Sequence, residues 1–267
     1  TIGLLVSSAV LQQQLHLLQN QPTGYQRDAR LMVSGIENEQ VFLAGNQNLL
    51  QSLRQVEGVT AASIMDMQLT GTISQAMNIQ LPGQTEDNAL PPISQMAAGF
   101  DIVKTAGFTL LAGRDFSETY QSDWYQMHGD HATAAVIITE SLARKAGYNQ
   151  VQDAIGQQWL LPGDNPVLQM KVVGVVADIQ IGSALKQQEP LILICGRSPM
   201  TYGNILLNLQ PEQAFSARSK VQQLLTDRLQ RQDLQLSWLS DDYNAMYQNQ
   251  QRQGKVIAIF AALAIAL

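Results

Sequence analysis

The chain of 267 residues holds one cysteine, Cys195. That excludes an intrachain disulfide and a cysteine-based zinc site. Cys195 closes the apolar run LILIC, which marks it as a buried, inert thiol. Histidine is scarce too, at three residues, two of them in the stretch His128-Gly-Asp-His131. That spacing matches no common zinc pattern, H-E-x-x-H is absent, and the stretch reads as a solvated loop. Charged residues make up 14%, against about 25% in ordinary soluble domains. Glutamine and asparagine supply much of the missing polarity. There is no basic excess: the net charge is −6 and the pI about 5.0. This argues against a nucleic-acid surface and gives no support to binding anionic lipid head groups.

Signatures of catalysis are missing as well. No G-x-x-x-x-G-K-[ST] loop exists, and VVGVVAD has one glycine with no helix after it, so no nucleotide site is expected. No G-x-S-x-G elbow exists, and Ser183 in IGSAL has no marked partners. The acidic pairs Asp241–Asp242 and Glu86–Asp87 fit helix capping and a solvated loop. Aromatic residues are few, at 6%, yet Tyr120, Trp124 and Tyr125 gather within the polar stretch Glu118 to Thr133, read as an exposed loop. They form either a contact surface or the cover of a core.

What the chain does have is two unusual flanks. From Ser240 it reads SDDYNAMYQNQQRQGKVIAIFAALAIAL. Ser240 suits an N-cap, and Asp241 and Asp242 suit the first turn of a helix. One continuous helix is predicted, polar at first and apolar all round from Val256 to Leu267. Such a surface belongs in a protein core or in lipid. The run is shorter than the roughly 20 residues that span a bilayer, and we read it as the first half of a membrane helix meeting lipid at Val256, Ile257 and Phe260. The plainer reading is a buried core helix. At the other end, TIGLLVSSAV lacks the basic start and cleavage site of a signal peptide, and reads as the close of a preceding membrane helix. Residues 1–20 form a predicted helix in which Leu4, Ser8, Leu11, Leu15 and Leu18 make a seam. Its natural partner is the C-terminal helix, and the expected stalk contacts are Leu11, Leu15, Leu18, Tyr243, Met246 and Tyr247.

Between the flanks the pattern is α+β. Strands are predicted over 30–36, 59–65, 75–81, 109–111, 134–138, 157–161, 169–176, 191–195, 204–209 and 234–239. Helices are predicted over 46–56, 101–106, 140–146 and 211–232, the last with Phe215, Val221, Leu224, Leu225 and Leu229 on its apolar side. The β-α-β grammar occurs early and again late, around a different block. This favours layered sheets with helices on one face. It divides the chain into flanks at 1–27 and 241–267, a discontinuous part at 28–98 and 200–240, and an insertion at 99–199.

The segments GFTLLAGRDFS (107–117), AAVIITESLARKAG (134–147), AIGQQ (154–158) and MKVVGVVADI (170–179) resemble, in order, the periplasmic core domain of MacB-like, FtsX-type ABC transporter permeases. The flanks LQQQLHLLQNQPTGYQRD and LQLSWLSDDYNAMYQNQQRQGKVIAIFAALAIAL resemble the segments that leave the first membrane helix and meet the second in that family. The resemblance implies porter-like β-α-β layers with an inserted sabre-like subdomain between N- and C-terminal stalk helices. It implies a bacterial inner-membrane protein with this part in the periplasm, and no enzyme active site. It implies a cytoplasmic ATPase that holds the ATP, a second permease copy and, in some members, a periplasmic adaptor. The rival expectations are a ligand-binding sensory ectodomain, which needs an enclosed ligand-sized cavity, and a soluble hydrolase.

Overall fold

A computed structural model describes residues 21–42, 47–83, 90–162, 167–185 and 187–248, and the single positions 13 and 256. Its centre is a mixed sheet of twelve strands. The strands are β1 (Arg30–Glu37), β2 (Val59–Met65), β3 (Ala76–Met77), β4 (Ile93–Ala98), β5 (Leu110–Gly113) and β6 (Gln126–His128). They continue with β7 (His131–Thr139), β8 (Gln158–Leu161), β9 (Val167–Val176), β10 (Leu191–Cys195), β11 (Tyr202–Leu209) and β12 (Gln235–Trp238). The order is β12-β1-β11-β2-β4-β10-β7-β9-β5, with β3, β6 and β8 pairing onto β4, β7 and β9. The β4–β10 and β7–β9 pairs are parallel, the rest antiparallel. Strands from early, middle and late in the chain therefore share one sheet.

The sheet has a thin place. β2 and β4 meet at a single residue pair, Met65 with Ala98. Asp66, just past β2, reinforces it. Its carboxylate accepts from the Ala97 amide at 2.9 Å and from the Ser198 hydroxyl at 3.0 Å. Burial pushes the Asp66 carboxyl up to about 6, against the pull of these hydrogen bonds.

Two apolar cores lie on opposite faces. In β7, Ala135 and Ile137 join the larger core, while Ala134, Val136 and Ile138 join the smaller. In β10, Leu191, Leu193 and Cys195 face one way and Ile192 and Ile194 the other. Alternation along a strand sends neighbours to opposite faces, so strands apolar on both faces need cover on both. Helices Gln47–Arg54, Ile102–Ala106 and Ala214–Leu229 cover the larger core, and helix Glu140–Lys145 covers the smaller with Leu142 and Ala143. The expectation of helices on one face is corrected to both.

Other differences are local. The strand expected over 75–81 shrinks to Ala76–Met77 and a lone bridge from Gln80 to Leu160. The helix expected from Pro211 opens as a 3-10 turn, Pro211–Gln213, and ends at Gln230 with φ 54°. Its buried stripe is Ala214, Ala217, Val221 and Leu225. Phe215, expected inward, is 77% exposed, because it sits one residue off that stripe. It packs edge-on to Trp238, with ring centroids 5.6 Å apart. No helix among the described residues is long and apolar enough to cross a membrane. The predicted N-terminal helix, apart from an exposed helical Gln13, and the apolar run after an exposed helical Val256 lie outside the described residues.

Candidate functional site: a junction of the chain's two flanks and a polar trough

The incoming segment, 21–27, is held to the loop that follows β9. The Thr23 carbonyl accepts from the Gln180 amide at 2.8 Å. Gly24 passes so close that a Cβ there would lie 2.2 Å from the Asp178 carbonyl oxygen, and its φ is +79°. Only glycine fits both demands. Gln26 donates its amide to the Ala106 carbonyl at 3.0 Å. The Arg27 guanidinium then lies over the Tyr243 ring, 4.1 Å from its centroid, so the segment entering the fold touches the helix leaving it.

That outgoing helix spans Leu239–Ala245. Trp238, not Ser240, occupies the N-cap position, since the chain passes straight from β12 into the helix. Asp241 and Asp242 fall in the first turn as expected, and the Ser237 hydroxyl donates to Asp242 at 2.6 Å. Tyr243 and Tyr247 lie one turn apart, both fully buried, with centroids 5.4 Å apart. The Tyr247 hydroxyl accepts from the Ala184 amide at 2.9 Å and reaches the Tyr243 hydroxyl at 3.4 Å. Tyr243 and Tyr247 thus bind the outgoing helix to the domain and to the same loop that holds the incoming segment. The helix was predicted to run on unbroken. Instead it tightens at Met246 and Tyr247, whose amides bond to Tyr243 and Asn244, three residues back. Met246 is half-buried at this turn. Leu11, Leu15, Leu18, Ile257 and Phe260 lie outside the described residues.

The second feature comes from the stretch expected to be an exposed loop. Residues 126–128 form β6, which turns back on β7 through Gly129 and Asp130. Gly129, with φ +64°, supplies the first position of this two-residue hairpin turn. The three aromatic residues part company. Trp124 enters the larger core against Phe100, at 5.1 Å between centroids. Tyr125 packs half-buried on the smaller core. Tyr120 stays exposed, stacked on the Arg114 guanidinium at 3.9 Å. Arg114 is fixed by a two-pronged ion pair with Asp123, at 2.6 and 2.8 Å, and Asp123 is 2% exposed.

This braced segment walls a trough of about 480 Å³. Its floor is a row of β7, β9 and β8 on the face of the larger core: Thr133, Ala135, Gln169, Lys171 and Gln158. Sequence reasoning missed it, because no residue in the floor belongs to a chemical motif. The period-two alternation of polar residues in VLQMKVV was the available signal.

Elsewhere the chemistry is quiet. His128 and His131 face each other across the hairpin, at 5.5 Å between rings, and His131 bonds to Asp130 at 3.1 Å. Among the described residues no three histidine, cysteine or acidic side chains gather to hold a metal. Burial pushes the Cys195 thiol well up, so it stays protonated.

By sequence, the chain matches no family model and no curated protein. Among solved structures, the periplasmic region of MacB from Actinobacillus actinomycetemcomitans superposes with a TM-score of 0.55 at 13% identity. The match covers 85% of this chain and 95% of that one. A permease-protein domain from Porphyromonas gingivalis aligns at 16% identity over 80% of this chain and 91% of its own, with a TM-score of 0.49. This chain is an α+β domain with the fold of the MacB periplasmic region.

Proposed function

We propose that this chain is the extracytoplasmic domain of an ABC transporter permease, set between the first and second membrane helices of a bacterial inner-membrane protein and facing the periplasm. The observation that carries this reading is the junction: in a fold shared with a MacB periplasmic region, Arg27 at the start meets Tyr243 at the end. A domain inserted between two membrane helices must return its outgoing chain to where the incoming chain arrived. The role is mechanical rather than enzymatic, in an efflux or export system. ATP would be hydrolysed by a cytoplasmic ATPase subunit or domain, separate or fused, with a second permease copy, alike or different, completing the transporter. A periplasmic adaptor is a further expected partner.

Closure of the membrane halves would tilt the stalk formed by 1–27 and 241–267. The Tyr243–Tyr247 pair is placed to pass that tilt to the loop after β9, and so to the porter-like part (28–98 and 200–240) and the sabre-like insertion (99–199). Replacing Leu11 and Leu15 with aspartate in the full-length permease should abolish transport while leaving ATP hydrolysis intact. Unchanged transport in that double variant would remove the stalk from the mechanism. The sensory reading requires an enclosed cavity, and the trough, open along one side, does not favour it.

A further inference from the structure

We infer that the trough over β7, β8 and β9 binds a small polar carboxylate, with Lys171 as the residue that pairs with its charge. The inference does not depend on the transporter reading.

Lys171 stands in the middle strand of the floor, directly opposite Gln158 of β8 and Ala135 of β7. In the next row, Gln169 lies opposite Thr133. The small Ala135 leaves room in the floor, and the two amides and the hydroxyl line the same trough as Lys171. Among the described residues Lys171 has no ion-pair partner, whereas the trough's other cation, Arg114, is neutralised by Asp123. The lining therefore carries one uncompensated positive charge on a chain whose net charge is −6.

The site is also built in advance. Its floor is hydrogen-bonded sheet, and its wall is locked by the Arg114–Asp123 pair, with the Ser117 amide donating to the same carboxylate at 3.2 Å. That brace holds one face of Tyr120 on Arg114 and leaves the ring exposed. A rigid wall and floor spare a ligand the cost of ordering them. The volume of about 480 Å³ falls within the range of small-ligand sites. Amide and hydroxyl groups around a lone ammonium suit a molecule with one carboxylate flanked by its own hydroxyls or amides. A short peptide with a free C-terminus and a uronic-acid sugar both have that chemistry.

The test is titration of the full chain with trialanine, trialanine amide and digalacturonate, followed by NMR of the side-chain amides of Gln158 and Gln169. At least one of the two carboxylates should shift both amides saturably, and which one does so identifies the source. Trialanine amide should not, and the Lys171→Gln variant should bind about tenfold more weakly or worse. Lys171 is exposed, so its replacement leaves the fold intact, which an unchanged thermal midpoint would verify. The absence of any saturable shift with either carboxylate would overturn the inference. So would equal binding of trialanine and its amide, or unchanged affinity in Lys171→Gln.

Discussion

Asp66 holds its place at a cost. The residue is 5% exposed, and hydrogen bonds from the Ala97 amide, the Ser198 hydroxyl and its own amide offset that burial in part. Because its folded value, about 6, lies above the unfolded value of about 4, the native state binds more protons between those limits. Stability should therefore fall as pH rises from about 4 to about 6, by up to roughly 3 kcal/mol from this residue. Asp115, also pushed up to about 6 by burial, acts in the same direction. Denaturant midpoints of the wild type and of Asp66→Asn, measured across that range, should lie close together at low pH, where the neutral acid resembles the amide, and separate as pH rises and the wild type loses stability. Parallel curves would show that Asp66 titrates as an ordinary surface carboxylate. The residue was not legible in the sequence, since nothing in IMDMQ distinguishes it from a solvated aspartate.

At the scale of elements, the segment Leu239–Ala245 of the outgoing helix is anchored to the domain by Leu239, Tyr243 and the following Tyr247, all fully buried. Tyr247→Phe keeps the ring but leaves the Ala184 amide without its acceptor, and should cost about 1–2 kcal/mol of stability. Native-state hydrogen exchange should speed up at Ala184 before it does in the β-sheet; equal protection in the variant would show that this bond does not tie helix to loop. Much of this level was legible. The interior strands announced themselves as unbroken apolar runs, and the pattern in LILIC and VVGVV is that of strands covered on both faces. The expectation of one-sided helices came from overlooking that point. The region 118–133 was misread because its polar residues alternate too weakly to signal β6. The buried Asp123 and Trp124 depend on Arg114 and Phe100, distant partners that local pattern does not reveal.

For the whole molecule, the sheet brings the chain's flanks together and puts the trough elsewhere. The strands β12, β1, β11 and β2 join β4, β10, β7, β9 and β5 through the single Met65–Ala98 pair, and one apolar core spans that junction. The proposed function requires that this domain lie outside the cytoplasmic membrane. The chain's one native cysteine is buried, whereas Phe215 is 77% exposed. The most direct measurement is labelling of the full-length Phe215→Cys protein in intact spheroplasts with a membrane-impermeant maleimide. We predict labelling without lysis that exceeds that of the parent full-length protein, in which Cys195 is buried. Labelling of the cysteine at 215 only after the membrane is broken would place the domain in the cytoplasm and overturn the proposed function.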